Sequence, residues 1–75
     1  MKKQQETLVK FGLKLKLERI KQNLSQEELA ALAEMSPTSI SLIEAAKQNI
    51  SLAGIKSIAD VLKLTMSELV DIENI

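Results

Sequence analysis

Apolar residues recur at helical spacing along the chain, in five segments separated by short polar stretches. Spacings of three and four residues place the apolar side chains of each segment on one face of a helix. The predicted helices cover about residues 7–22, 26–33, 37–45, 52–63 and 65–72. No segment alternates as a half-buried strand would, and the sequence has no internal repeat. The pattern therefore predicts an all-α domain of five helices with short connections.

The second and third predicted helices begin close to each other. Ser25 followed by Glu28 is a capping box, in which each side chain satisfies a backbone N–H at the helix start. Ser36 followed by Pro37 marks the next start, with serine as the N-cap and proline at the first helical position. Only a tight turn fits between these helices. Residues 24–46 are therefore predicted to form a helix-turn-helix, a motif that binds DNA.

Two residues and the N-terminus depart from this regular pattern. Gly12 lies inside the first predicted helix, where glycine costs about 1 kcal/mol relative to alanine, so we expect close packing there. Glu34 lies in the turn of the motif, where a non-glycine residue at positive φ costs roughly 1 kcal/mol. The polar residues 1–5 are predicted to be disordered, which leaves residues 6–75 as a single DNA-binding and dimerisation domain.

The composition argues against several kinds of site. The 75 residues include no cysteine and no histidine, so disulfides, thiolate chemistry and the usual zinc ligands are missing. The sequence has no phosphate-binding glycine loop, and the serines of residues 36–41 have no base to activate them. We therefore expect no enzyme activity, no cofactor and no metal. No apolar run approaches the ~20 residues that span a bilayer, so we expect a cytoplasmic protein without membrane contact.

The charges are divided between the two parts of the chain. The net charge is zero, but residues 1–21 carry seven basic and two acidic side chains, and the remainder carries three basic and eight acidic ones. Such a molecule can present a positive surface to DNA while its acidic part faces away. Lys10, Lys14 and Lys21 fall close together on the first helix, either as a basic face or as an ordinary solvated surface. We expect weaker and less salt-dependent binding than for a strongly basic domain.

Several motifs resemble those of the Cro/C1-type (XRE) helix-turn-helix regulators, over about residues 11–69. They are Phe11-Gly12, Glu18-Arg19-Ile20, LSQEELA at 24–30, the serine-rich segment ending at Ile43-Glu44, NISL at 49–52 and IADVL at 58–62. The resemblance implies a compact five-helix, lambda-repressor-like domain that regulates transcription in a bacterium, encoded by the bacterium or by a phage. The NISL segment and the short length are most similar to restriction–modification controller proteins, with small phage repressors as the nearby alternative. Glu34, Ala46 and Ile50 stand where the family pattern favours glycine or proline, which affects loop detail rather than the fold.

The start of the third helix is the candidate base-reading surface. In this motif that end of the second helix approaches the base edges in the major groove. Leu42 would pack on a thymine methyl if it projects outward, and the alternative is a half-buried leucine. No Arg, Gln or Asn lies on this face, so we expect modest direct readout and a contribution from DNA shape. By matched position, the base-reading candidates are Pro37, Thr38, Ser39 and Leu42, with Ser41 as a lesser one.

Phosphate contacts are expected from the start of the second helix and from the loop after the third. Gln26 is favoured by the exposed N–H groups and the dipole of its helix, and its alternative interpretation is an ordinary first-turn residue. The loop candidates are Lys47, Gln48, Asn49 and Ser51.

The resemblance also implies an ion pair between Arg19 and Glu44. In related proteins, an arginine of the first helix pairs with the glutamate that ends the third helix. The alternative is two independent surface charges. Because burying one charge without the other costs several kcal/mol, such a pair would orient the base-reading helix.

Dimerisation is expected because one such domain contacts only a few base pairs. A homodimer on a (pseudo)palindromic operator is the common solution. The last helix has more apolar residues than it can bury alone, and the interface candidates are Leu64, Met66, Val70 and Ile72. RNA polymerase is a further candidate partner. The competing hypothesis is an antitoxin-like protein-interaction module with the same fold.

Overall fold

In the computed structural model, which describes residues 2–75, the chain forms five α-helices. They are α1 (Lys3–Lys21), α2 (Gln26–Ala33), α3 (Pro37–Glu44), α4 (Leu52–Leu62) and α5 (Met66–Leu69). The part of the chain that the structure describes contains no β-strand, and the all-α prediction is confirmed. α3 packs against both α1 and α2, α2 also packs against α4, and α4 packs against α5.

Side-chain caps begin α2, α3 and α5, and the caps of α2 and α3 are those that the sequence predicts. The Ser25 hydroxyl accepts the Glu28 backbone N–H at 3.0 Å, and the Glu28 carboxylate accepts the Ser25 backbone N–H at 2.8 Å. These hydrogen bonds hold the pKa of Glu28 below its ordinary value. Thr65 and Glu68 form the same capping box at the start of α5. The Ser36 hydroxyl caps α3, whose first residue is the proline. Local sequence therefore sets these three helix starts.

The first helix begins earlier than predicted. α1 starts at Lys3 rather than near Thr7, so residues 3–5, which were expected to be disordered, form its first turn. Lysine, glutamine and glutamate are good helix formers, and no glycine or proline interrupts the segment. The Thr7 hydroxyl does not cap the helix but donates to the Lys3 carbonyl at 3.0 Å. Met1, which was included in the predicted disordered segment, lies outside the described residues.

The last helix is shorter than predicted. α5 ends at Leu69 instead of continuing to about Ile72. The backbone N–H of Asp71 donates to the carbonyl of Glu68, three residues earlier, at 3.3 Å, so the chain leaves the helix through a tighter turn. α5 is therefore a single turn, held mainly by its capping box and by the buried Leu69.

The hydrophobic core receives side chains from all five helices. Leu15, Leu29 and Ile40 are completely buried, and they join α1, α2 and α3. The full set of buried apolar residues is Phe11, Leu15, Leu29, Ala30, Ala33, Ile40, Ile43, Ile58, Ala59, Leu62 and Leu69. In a domain of this size the core alone gives only marginal stability. Specific polar contacts between helices therefore contribute an appreciable part of the free energy of unfolding.

Gly12 marks a place where α1 and α3 approach closely. A Cβ atom at this position would lie 2.6 Å from the Glu44 carbonyl oxygen and 2.8 Å from the Ile43 carbonyl oxygen. Both distances are far inside van der Waals contact, and both neighbours are backbone. The glycine predicted to mark close packing therefore lets the end of α3 rest directly on α1.

Candidate nucleic-acid interface

α2 and α3 are joined by a turn that takes a left-handed residue. Glu34 has φ 57° and ψ 42°, and the backbone N–H of Met35 donates to the Ala30 carbonyl at 2.8 Å. These bonds satisfy carbonyl groups at the end of α2 that would otherwise lack partners. Ala30 and Ala33 are buried, and their small side chains let the two helices of the motif pack closely. The motif is thus built as its sequence predicts, with Glu34 adopting the disfavoured backbone conformation.

The first turn of α3 presents its side chains to solvent. Pro37, Thr38 and Ser41 are exposed, whereas Ser39 and Leu42 are half-buried. Ser39 also belongs to the cap of its own helix, because its hydroxyl accepts a hydrogen bond from the Ser36 hydroxyl at 3.2 Å. Thr38 and Ser41 are therefore the candidate base-reading residues with freely exposed hydroxyl groups. Leu42 is thus the half-buried leucine of the second alternative, although part of its side chain stays accessible.

A network centred on the Glu44 carboxylate fixes the orientation of α3. Arg19 donates to both carboxylate oxygens of Glu44, from Nε at 2.7 Å and from Nη2 at 3.0 Å. A third guanidinium donor, Nη1, reaches the Leu24 carbonyl at 2.7 Å. The side chains of Arg19 and Glu44 are only 11% and 5% exposed. The hydrogen bonds to Glu44 raise the pKa of Arg19 above its ordinary value. The expected ion pair is therefore present, bidentate and largely removed from solvent.

Gln26 has a contact that the sequence analysis did not anticipate. Its side-chain amide donates to Glu44 Oε1 at 3.0 Å, so it belongs to the same network as Arg19. The side chain is half-buried and lies in the first turn of α2. Gln26 thus links the start of α2 to the end of α3. A polar residue in a first helical turn gives no sequence signal for this long-range contact.

The loop after α3 carries the remaining candidate phosphate contacts. Lys47 and Asn49 are exposed, and Gln48 is half-buried. Ser51 is exposed but caps α4, because its hydroxyl accepts the Gly54 backbone N–H at 3.0 Å. The loop leaves α3 through Ala46, which has φ 61°.

Replacing Ala46 with glycine should stabilise the protein. A left-handed alanine costs roughly 1 kcal/mol, which glycine avoids, so we expect the melting temperature to rise by about 4–8 °C. Ala45→Gly is the matched control, since Ala45 has φ −84° and gains nothing from glycine. Thermal unfolding followed by circular dichroism compares the two variants. A lower melting temperature for Ala46→Gly would contradict the expectation.

The predicted dimer residues differ in how much surface they offer. Leu64, Met66 and Ile72 are half-buried and pack against the core of their own chain, whereas Val70 is 42% exposed. α1 carries a second group of exposed apolar residues at helical spacing, which are Leu13, Leu17 and Ile20.

Gln22 donates from its side-chain amide to the Leu62 carbonyl at 2.6 Å, which joins the ends of α1 and α4. Within residues 2–75, no cluster of acidic side chains is arranged to hold a metal ion. None of the helices described for this chain has the length and apolar character needed to cross a membrane.

Comparison with known proteins finds the same motif. The family model described as Helix-turn-helix matches residues 15–69. The control protein C.MunI from Mycoplasma sp. is 45% identical over 62 residues, which cover 81% of this chain and 84% of that protein. Two solved structures are also similar.

The restriction-modification controller protein C.AhdI from Aeromonas hydrophila superposes with a TM-score of 0.81 at 37% identity, covering 83% of this chain and 94% of that one. The hypothetical transcription factor NHTF from Neisseria superposes with a TM-score of 0.85 at 26% identity, covering 97% of this chain and 84% of that one. The likeness therefore extends over the arrangement of the helices as well as the motif.

Proposed function

Since the chain belongs to the Cro/C1-type (XRE) helix-turn-helix family of DNA-binding regulators, we propose that it is a restriction–modification controller protein that acts as a homodimer. The proposed ligand is a (pseudo)palindromic operator in double-stranded DNA. The proteins named as controllers among its relatives support this choice over a phage-type repressor. The setting proposed for this activity is the bacterial cytoplasm, at the nucleoid, with RNA polymerase as a further candidate partner.

The observation that most supports the proposal is the exposed start of α3. Thr38 and Ser41 would face base edges in the major groove, and the accessible part of Leu42 would pack against a thymine methyl. Hydroxyl groups suit several bases, so these contacts discriminate only modestly. DNA shape would then supply part of the specificity.

Phosphate contacts would hold α3 in register on the duplex. The start of α2, at Gln26, offers backbone N–H groups and the positive end of a helix dipole. Lys47 and Asn49 in the exposed loop would bind phosphates on the other side of α3. Gln48 and Ser51 are weaker candidates, because the former is half-buried and the latter caps α4.

A gel-shift assay with DNA from upstream of the protein's own gene tests the proposal. We expect specific retardation that unrelated duplex does not compete away. Thr38→Asp should abolish it, because a carboxylate on this face meets the negative charge of the DNA. Gln5→Asp, which makes the same charge change on the exposed start of α1, should leave binding nearly unchanged. Equal loss in both variants, or no specific retardation of the wild-type protein, would refute the proposed function.

The proposed dimer is tested most directly at Val70, because this side chain is exposed and is not part of the core. Val70→Asp should produce monomers that bind the operator poorly, and Met66→Asp should add to the effect at some cost in stability. Leu32→Asp is the control, since Leu32 is 61% exposed on α2. Sedimentation equilibrium measures the association state. A dimer that survives Val70→Asp and Met66→Asp would place the interface elsewhere.

The protein-interaction alternative has one observation in its favour. Leu13, Leu17 and Ile20 are each about half exposed along one face of α1. An antitoxin-like module would use such a face to bind another protein, and it would give no specific gel shift. The same assay therefore separates the two functions.

A further inference from the structure

A shallow groove lies where α1, α2 and α3 meet. Its volume is about 300 Å³. It connects the start of α2 with the outer face of α3, which are the two surfaces proposed above to meet DNA. The residues that line it are Lys16, Arg19, Gln26, Ser41, Glu44 and Ala45.

The charges in this groove leave one uncompensated cation. The Arg19 guanidinium and the Glu44 carboxylate neutralise each other in their bidentate pair. Lys16 is exposed and takes part in no ion pair among residues 2–75. The groove therefore has a net charge of one positive unit, carried by an ammonium group at its surface.

The three lysines of the predicted basic face are engaged on their own helix. Lys10 lies 3.5 Å from Glu6, and Lys14 and Lys21 each lie 3.3 Å from Glu18. Burial raises the pKa of Glu18, but the hydrogen bonds and charges of the two lysines outweigh it, so the pKa lies below its ordinary value. The basic face suggested by helical spacing is thus largely self-neutralised, and Lys16 points elsewhere.

The backbone holds Lys16 in place beside the motif. It lies four residues after Gly12, so it extends from the same side of α1 that rests on the end of α3. Lys16, Gln26 and Ser41 therefore line one groove, with an ammonium, an amide and a hydroxyl group respectively. These are donors that commonly bind phosphate oxygens, next to the first N–H groups of α2.

We propose that Lys16 binds a phosphate of the DNA backbone at this groove, so that α1 contributes to DNA binding together with the helix-turn-helix. The inference rests on the proposed function and adds a contact outside the motif. It also assigns the basic contribution of α1 to a single lysine. A backbone contact of this kind strengthens binding without changing the preferred sequence.

The test compares Lys16→Gln with Lys10→Gln, which removes the same charge from the same helix. Fluorescence anisotropy with a labelled duplex from upstream of the gene, and with an unrelated duplex, is measured over a series of salt concentrations. For Lys16→Gln we expect weaker binding to both duplexes. The slope of log K against log salt concentration should be smaller by about 0.9 for each bound subunit. Lys10→Gln should keep the wild-type slope, and Lys16→Arg should restore it.

Each other outcome contradicts either the phosphate contact at Lys16 or the proposed function. Equal slopes for Lys16→Gln and Lys10→Gln, with specific binding by the wild-type protein, would refute the phosphate contact and leave the proposed function standing. A loss confined to the gene's own duplex would also refute it, because that pattern indicates base readout. A wild-type protein that binds neither duplex would overturn the proposed function and this inference together.

Discussion

Arg19→Ala should lower the melting temperature by about 12 °C or more. The substitution leaves the Glu44 carboxylate, which is 5% exposed, without its bidentate partner and removes the donor to the Leu24 carbonyl. Removing one member of a buried pair costs about 3–5 kcal/mol, and each kcal/mol shifts the melting temperature of a domain this size by about 4–8 °C. Total stabilities of about 5–15 kcal/mol are usual, so the loss is a large fraction. Thermal unfolding followed by circular dichroism measures it.

Two controls separate the pair from a general effect of charge. Lys21→Ala removes an exposed lysine from the same helix, where an ion pair contributes at most about 1 kcal/mol, so its melting temperature should stay close to that of the wild type. Arg19→Lys keeps the charge but loses the two-pronged geometry, so it should lie between alanine and wild type. An unchanged melting temperature for Arg19→Ala would show that Glu44 does not depend on it.

Gly12→Ala should be the second strongly destabilising change. The added methyl group would stand 2.6 and 2.8 Å from two carbonyl oxygens of α3, which cannot rotate away. Forcing atoms into a packed contact costs about 1–3 kcal/mol, and backbone neighbours favour the upper end of that range. Alanine regains about 1 kcal/mol of helix propensity, so we expect a net loss of about 2 kcal/mol. Urea denaturation should show a lower midpoint with an unchanged slope.

Gly54→Ala is the matched control for this substitution. Gly54 also lies inside a helix, but the nearest atom to an added Cβ is Ile50 Cγ1 at 2.9 Å, a side-chain atom rather than a backbone atom. The gain in helix propensity should therefore offset the crowding, and the midpoint should change little. If both alanine variants unfolded at the same urea concentration, the close approach of α1 to α3 would not be what requires Gly12.

Much of the fold can be predicted because the contacts that start its helices join residues close together in the sequence. The caps at Ser25 and Ser36 act within one helical turn, so the sequence places those helix starts correctly. The glycine at position 12 signals a close approach without identifying the neighbour, which only the packing of α3 reveals. The start of α1 was misplaced because a polar composition was interpreted as disorder, although lysine, glutamine and glutamate also favour helix.

The candidate site was predicted in outline but not in its connections. Helical spacing brings Lys10 and Lys14 together, but the same spacing places Glu6 and Glu18 beside them, so the predicted basic face is largely neutralised. The hydrogen bond from Gln26 to Glu44 joins residues far apart in the chain, so no local pattern reports it. The groove at Lys16 depends on how three helices pack, and sequence spacing alone does not define it.

The shared carboxylate at Glu44 has a consequence for how the molecule opens. α1 reaches it through Arg19, α2 reaches it through Gln26, and α3 supplies it. Breaking any one of these contacts leaves the buried Glu44 carboxylate with fewer hydrogen-bond donors. This loss destabilises the packing of all three helices. α1, α2 and α3 should therefore unfold as one cooperative unit, whose amide protons exchange with solvent only through global opening. α5 lies outside this unit, so the region proposed for dimerisation can fray and reform while the DNA-binding part stays folded.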